Sequence, residues 1–374
     1  HLQVFRVYLL EGVTGSGKTE VYMQIIQSVL DAGKQALVLL PEITLTPQLE
    51  SRFQQRFDVA LVVSHSKLTD TQRHSAWMQM QQGTGKIMLG TRSALFTPLK
   101  NPGVIILDEE HDSSFKQQEG FRFSARDIAI MRAKHLQIPI VLGTATPSLE
   151  SLENALQGRY QRLHLTQRAG QASDPRFLIL DIRNKKLQEG LSPSLVQAIA
   201  DTLAKDEQVL IFLNRRGFAP VLICHSCGWV ARCRHCDANL VIHYEDRQLI
   251  CHHCSAVHPL LQVCPGCQKP ELMPLGLGTE RVEKLLSELF PEKRTLRLDR
   301  DTTQAKGALE GYLEQIHQSE VDIILGTQML AKGHHFPNVT LVAMLDVDSG
   351  LFSVDYHAPE KLAQLIMQVA GRAG

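Results

Sequence analysis

Along the first half of the chain, short apolar runs alternate with longer polar stretches of helical spacing. Runs at Val7–Leu10, Ala36–Leu40, Ala60–Val63, Ile87–Gly90, Val104–Asp108 and Pro139–Gly143 predict strands, and segments such as Glu20–Ala32 and Thr46–Phe57 predict helices between them. A continuous Val/Ile/Leu run has no polar side to turn to water. Strands of this kind are buried on both faces, and their alternation with helices predicts a parallel sheet with helices packed on each side. The polar stretch Thr166–Pro175 carries Gly, Ser, Asp and Pro and predicts a boundary. Strand-like runs resume at Phe177–Ile182, Gln208–Leu213, Leu296–Asp299, Asp322–Gly326 and Thr340–Asp346. The pattern therefore predicts two α/β domains, residues 1–168 and 169–374, the second interrupted by an insertion over residues 222–270.

Composition narrows the class. A chain of 374 residues is too long for one ordinary core. Its 44% hydrophobic and 21% charged content is that of a folded globular protein. Lys plus Arg and Asp plus Glu both total 39, so net charge argues neither for nor against a nucleic-acid partner. No apolar run reaches the roughly 18 residues of a membrane span, and no membrane partner is expected. The stretch His1–Glu11 lacks a charged leader and a small-residue cleavage site, so it reads as the lead-in to a buried strand. The expected compartment is the cytosol, where eight cysteines do not point to structural disulfides.

The segment Gly12-Val-Thr14-Gly15-Ser16-Gly17-Lys18-Thr19 fits the P-loop pattern, follows an apolar strand and opens a helix. Its glycines let the backbone curl so that successive N–H groups face one anion, and the helix N-terminus adds its dipole. Lys18 is expected to reach the outer phosphates and Thr19 to ligate Mg²⁺. Asp108-Glu109-Glu110-His111 ends the run Val104–Leu107, and a carboxylate there lies in the crevice where parallel sheets bind ligands. Asp108 is expected to hold the magnesium and Glu109 to orient or deprotonate the attacking water. Glu110 and His111 read as a solvated loop.

Six further segments resemble the ordered motifs of superfamily 2 helicases: Leu40–Gln48, Gly90–Ser93, Gly143–Ser148, Phe212–Gly217, Gly326–Gly333 and Gln368–Arg372. The whole chain resembles the bacterial replication-restart family within that superfamily, most closely over Gly12–Tyr22, Asp108–Gln118, Phe212–Pro220, Gly276–Glu280 and Gly326–Val342. The resemblance implies two RecA-like P-loop domains with parallel sheets and ATP bound between them. It adds Gly333 to the ATP site, makes Gln368 catalytic and sends Arg372 to the γ-phosphate. It also implies a 3′→5′ DNA translocase of the nucleoid that meets single-stranded and forked DNA. Expected protein partners are other primosome proteins and single-strand-binding protein. Against the family pattern, the chain starts after the adenine-reading glutamine motif and the fork-binding domains. It stops before a second motif VI arginine, so it reads as a helicase core.

All eight cysteines fall into C-x-x-C pairs: Cys224/Cys227, Cys233/Cys236, Cys251/Cys254 and Cys264/Cys267. Two pairs complete one tetrahedral Cys₄ zinc site, so two Zn²⁺ are expected. A hairpin signal between Cys236 and Cys251 suits one site from Cys233, Cys236, Cys251 and Cys254, enclosed by a second from Cys224, Cys227, Cys264 and Cys267. The family implies the same nesting; sequential pairing stays open. The histidines His225, His235, His252 and His253 then surround the sites without joining them. Trp229, Arg232 and Arg234 are open to DNA, to a partner protein or to packing.

After Asp108–His111, aromatic and arginine residues interleave in Phe115–Asp127. Aromatic faces stack on bases and guanidiniums meet phosphates without reading sequence. Phe115, Phe121, Arg122 and Phe123 are therefore candidate DNA contacts, with Arg92 and Lys332 for the backbone. The function expected is a DNA-stimulated ATPase that unwinds or tracks along DNA. A scaffold using ATP as a switch, and a pump for duplex DNA, are the alternatives.

Overall fold

The computed structural model describes residues 4–13, 15–41, 47–66, 68–167, 175–214, 221–236, 238–243, 247–251, 253–275, 279–299, 302, 308–327, 336–351 and 355–371. The chain forms two compact units, His1–Ala172 and Ser173–Gly374.

The strands of the first unit are β1 (Val7–Gly12), β2 (Gln35–Leu39), β3 (Leu61–Ser64), β4 (Ile87–Gly90), β5 (Pro102–Asp108), the short pair β6 (Lys116–Gln117) and β7 (Phe123–Ser124), β8 (Ile140–Thr144) and β9 (Gln161–Leu165). Seven of them form one sheet in the order β3-β4-β2-β5-β8-β1-β9, with parallel pairing throughout. The helices are α1 (Lys18–Asp31), α2 (Pro47–Arg56), α3 (Asp70–Gln82), α4 (Ala125–Leu136) and α5 (Leu149–Leu156).

Side chains alternate across a strand, and here both sides are apolar. Leu37, Leu39, Ile105, Leu107, Ile140 and Leu142 pack against Ala76 and Met80 of α3 and Ala125, Ala129 and Ala133 of α4. Their neighbours Ala36, Val38, Val104, Ile106 and Val141 pack on the other face against Tyr22, Met23, Ile26 and Val29 of α1. Local signals set the helix ends. Thr69 and Gln72 form a reciprocal capping box before α3, and Gly83, at φ 82°, closes it in the left-handed region.

The second unit holds a parallel sheet in the order β16-β17-β10-β18. Its strands are β10 (Gln208–Leu213), β16 (Thr295–Leu298), β17 (Ile323–Gly326) and β18 (Val339–Leu345). Around it lie α6 (Pro193–Leu203), α7 (Thr279–Leu289), α8 (Ala308–His317) and α9 (Ala358–Ala370). Val209, Ile211 and Leu213 face Ile199, Leu203, Val282 and Leu286, while Leu210 and Ile324 face Leu313 and Ile316. Between β10 and α7 runs an antiparallel sheet in the order β14-β13-β12-β11-β15. It is built from β11 (Val221–Cys224), β12 (Val241–His243), β13 (Gln248–Ile250), β14 (Val257–Pro259) and β15 (Leu272–Leu275).

Phe177–Ile182 is not a strand. The segment has no assigned secondary structure and pairs with no strand among the described residues, with Leu178 at 75% and Ile179 at 98% exposure. Apolar composition favours a strand only where a neighbouring strand and a core face receive it, and here neither does.

One buried amide holds the first unit's loops to its sheet. Gln35, at the start of β2, donates to the carbonyls of Met80 (3.0 Å) and Gly85 (2.6 Å) and accepts from the Asn101 N–H (2.9 Å). Gln208, at the start of β10, does the same work in the second unit through the carbonyls of Ile316 and Val321. Gln35→Leu removes the side-chain partner of the Gly85 carbonyl and the Asn101 N–H and one of two bonds to the Met80 carbonyl, which keeps the Gly83 N–H. At about 1–3 kcal/mol for each unsatisfied group, partly relieved by relaxation, the expected loss is about 2–4 kcal/mol. A urea titration reads it as a lower midpoint for the first unit, and an unchanged midpoint contradicts it.

Candidate nucleotide site and cysteine module

The P-loop begins where β1 ends, at Gly12. Gly15 and Gly17 have φ values of 80° and 83°, and Gly17 is the N-cap of α1. A side chain at either would be strained, so glycine is required for the curl. Ideal Cβ atoms there meet nothing within 4 Å among the described residues, so the loop borders open space with respect to them. The Ser16 hydroxyl is buried with no hydrogen-bond partner among the described residues. An orphan donor beside an open helix N-terminus fits a phosphate. Lys18 folds back and donates to the Gly12 carbonyl at 2.8 Å. Thr19 is partly buried in the first turn of α1. Thr14 lies outside the described residues.

Asp108 ends β5 and sits level with Gly143 of β8, which is level in turn with Leu10 of β1. That register brings the carboxylate beside the loop. Burial pushes the Asp108 carboxyl up to about 6, helped by the Glu109 charge and opposed by Lys18 and by a hydrogen bond from Tyr22. The Tyr22 hydroxyl donates to Asp108 Oδ1 at 2.8 Å. Burial, with the Asp108 charge adding to it, pushes the phenol well above its usual range and keeps it a donor. Glu109 adopts φ 50°, in the left-handed region, a strain typical of functional turns. Its carboxylate lies 3.7 Å from His111 Nδ1.

Glu110 and His111 are not a solvated loop. The Glu110 side chain is fully buried and accepts from Ser148 N (2.7 Å), Ser148 Oγ (3.0 Å), Ser151 Oγ (2.8 Å) and Arg126 (3.1 Å). His111 Nδ1 is 2.8 Å from Thr144 Oγ1. The turn after β5 is thus tied to the Gly143–Ser148 segment and to the start of α4. Sequence reading missed these roles because a carboxylate in an acidic run is ordinarily at the surface. The buried serines that satisfy Glu110 lie 38 and 41 residues away.

The aromatic segment divides. Phe115 packs in the core of the first unit at 3% exposure, so its ring is not available for a base. Arg92 donates to the carbonyls of Ser114 (3.0 Å) and Lys116 (3.2 Å), so its guanidinium holds the loop in place. Arg126 is taken up by Glu110 and Ser148. Phe121 and Arg122 lie exposed at the tip of the β6–β7 hairpin, with the Phe123 ring 6.0 Å from that of Phe121. Phe96, which no sequence pattern marked, adds an edge-on ring 5.3 Å from Phe123. In the second unit, Gln368 is buried on α9. Lys332, Gly333 and Arg372 lie outside the described residues.

The eight thiols gather in two groups of four: Cys224, Cys227, Cys264 and Cys267, and Cys233, Cys236, Cys251 and Cys254. Sulfurs in each group lie within 4.8 Å of one another, a nested arrangement. The same turn recurs four times. The N–H of each first cysteine donates to the carbonyl five residues on: Cys224 to Trp229, Cys233 to Ala238, Cys251 to Ala256 and Cys264 to Lys269. Gly228, Ser255 and Gln268, each following a second cysteine, have φ values of 74°, 61° and 60°. Separations of 3.6 Å for Cys224–Cys267, Cys227–Cys264 and Cys233–Cys254, and 3.4 Å for Cys236–Cys251, exceed any disulfide. They come close to the about 3.8 Å edge of a tetrahedron with Zn–S near 2.3 Å. The donor set therefore fits zinc. His258, unmarked by the sequence, places Nε2 3.8 Å from Cys233 Sγ.

Comparisons with known proteins agree with this architecture. Residues 3–155 match the DEAD/DEAH box helicase family, residues 233–259 the Cys-rich region domain of the PriA DNA helicase, and residues 273–374 the helicase conserved C-terminal domain. The replication restart protein PriA of Haemophilus influenzae is 55% identical over 370 residues, 99% of this chain and 51% of the relative. That of Bacillus subtilis is 44% identical over 373 residues, 99% of this chain and 46% of the relative. The chain thus spans about half the length of the curated relatives it matches. The crystal structure of the DUF1998 helicase MrfA bound to DNA aligns with a TM-score of 0.57 at 13% identity, over 99% of this chain and 45% of that one. At that identity the likeness speaks to the fold alone, two RecA-like units. The chain belongs to the PriA family of DEAD/DEAH box helicases.

Proposed function

We propose that this chain is the ATP-driven core of a superfamily 2 DNA helicase and translocase. It moves 3′→5′ and acts at stalled or branched replication forks in replication restart and primosome assembly. The observation that carries the reading is the meeting of the P-loop, Asp108 and the Gly143–Ser148 segment at one end of the first sheet, in a chain 55% identical to a replication restart protein.

Bound Mg²⁺–ATP supplies the phosphoanhydride whose hydrolysis drives movement. Gly12, Gly15, Ser16 and Gly17 would turn N–H groups and a hydroxyl toward the phosphates, and Thr14 is assigned there by its motif position. Lys18 would leave the Gly12 carbonyl for the outer phosphates, and Thr19 and Asp108 would hold the magnesium. Glu109 holds the attacking water. Gly333, Gln368 and Arg372 are assigned by their motif positions, Arg372 to the charge that develops on the γ-phosphate. Glu110 and His111 pass the geometry of the turn to Thr144 and Ser148. Through Arg126 the same turn reaches α4 and the hairpin whose Phe121, Arg122 and Phe123 would face single-stranded or forked DNA. Lys332 would meet the DNA backbone. The two cysteine groups are proposed to hold two structural zinc ions, closed Cys₄ sites with no open position. Primosome proteins and single-strand-binding protein are proposed partners, and the nucleoid the place of action.

ATP turnover with and without single-stranded DNA tests the motor. The parent chain is expected to be stimulated many-fold, and Lys18→Ala to lose at least about 100-fold, as removal of one transition-state donor does. Tight ATP binding with flat turnover in the parent contradicts the motor and favours a scaffold. Metal analysis of the same preparation is expected to find two zinc ions per chain, and one or none contradicts two closed sites.

A further inference from the structure

Three motifs meet at one phenol. Tyr22 lies one turn beyond Lys18 on α1, so the two side chains share a helix face. Its hydroxyl donates to Oδ1 of Asp108 at 2.8 Å, across the C-terminal edge of the sheet. Room for that hydroxyl comes from Gly143. A Cβ built there would stand 1.6 Å from the Tyr22 hydroxyl oxygen, 2.7 Å from its Cζ and 3.2 Å from Asp108 Oδ1. Gly143 is at ordinary negative φ, so no turn demands glycine; the phenol does. The Tyr22 ring is otherwise held in the core, packed with Met23, Ile26 and Val141 and 2% exposed.

We propose that Tyr22 is a positioning residue of the magnesium site. Its hydroxyl fixes one oxygen of the Asp108 carboxylate and leaves the other presented to the metal's hydration shell. This inference rests on the nucleotide reading above and extends it to a residue outside the P-loop and Walker B patterns. The physical need is orientation. Magnesium tolerates little departure from octahedral geometry, and a carboxylate that contacts it with one oxygen must be held from behind. Removing the donor takes the phenol from Oδ1 and leaves the carboxylate held by the Glu109 backbone N–H. The missing side chain at Gly143 leaves its place to the hydroxyl end of the phenol, the first atom a Cβ there would meet.

The test is a pair of titrations on the full chain. Thermal unfolding is followed against Mg²⁺ at a fixed, saturating concentration of a non-hydrolysable ATP analogue, and ATP turnover against Mg²⁺ in parallel. Tyr22→Phe keeps the ring and removes only the hydroxyl. Its half-saturating Mg²⁺ is expected to rise at least about tenfold in both titrations, the usual effect of losing a metal ligand's supporting partner. Turnover at saturating Mg²⁺ is expected to recover to within a few-fold of the parent, with KM for ATP little changed. Gly143→Ala displaces the phenol from the other side and is expected to shift the Mg²⁺ dependence in the same direction. An unchanged half-saturation in Tyr22→Phe overturns the proposal. Lost turnover at every Mg²⁺ concentration, with an unshifted unfolding titration, also overturns it. If instead the parent shows no Mg²⁺-dependent stabilisation with the analogue, the nucleotide reading itself is what fails.

Discussion

The register of three parallel strands at their C-terminal ends is the constraint on which the candidate site depends. Leu10 of β1, Gly143 of β8 and Asp108 of β5 stand side by side. The P-loop starts two residues beyond Leu10, the acidic turn starts at Asp108, and the Thr144–Ser148 turn starts one residue beyond Gly143. Parallel strands put all their C-terminal ends on one edge, so a shared register delivers these segments to one place without further design. Shifting any strand by one residue would also turn its apolar set from one helix layer to the other. The burial that stabilises the sheet therefore sets the position of the chemistry.

On that edge the polar groups are organised from behind. Asp108 is backed by Tyr22, and Glu110 is enclosed by Ser148, Ser151 and Arg126. A buried carboxylate without such partners would be expensive, and a buried ion pair loses heavily if either member is removed. The Glu110–Arg126 pair therefore fixes the relation between the acidic turn, the cap of α5 and the hairpin of β6 and β7. It gives a contiguous physical link from the P-loop end of the sheet to the exposed ring of Phe121 and the half-buried ring of Phe123.

What was legible in the sequence follows from how local each signal is. The P-loop is a contiguous pattern whose glycines, lysine and helix start all lie within eight residues, and both parallel sheets announce themselves as continuous apolar runs. The four C-x-x-C turns are equally local, and each closes the same bond from the first cysteine to the fifth residue on. Long-range contacts were not legible. Glu110 looks like a surface acid until Ser148 and Ser151 are brought to it, and nothing near Arg92 in the sequence announces that its Nη1 donates to the Ser114 and Lys116 carbonyls. Phe115 reads like its aromatic neighbours, but the structure packs it into the core of the first unit. Phe177–Ile182 erred the other way, since apolar residues mark a strand only when a partner edge exists. Nothing local in the sequence marks Tyr22, because only the structure shows its hydroxyl pointing at Asp108.

The central claim is that nucleotide phosphates are gripped at the C-terminal edge of the first sheet, by the P-loop and Lys18. Direct binding of a fluorescent ADP analogue, with no turnover required, tests it. The account predicts that Lys18→Ala weakens binding by at least about tenfold, as loss of one charged hydrogen bond of about 1.5–3 kcal/mol requires. It also predicts that Asp108→Asn abolishes the gain from added Mg²⁺ while sparing binding without it. Equal affinity of parent and Lys18→Ala, at equal thermal stability, would place the nucleotide elsewhere and contradict the account.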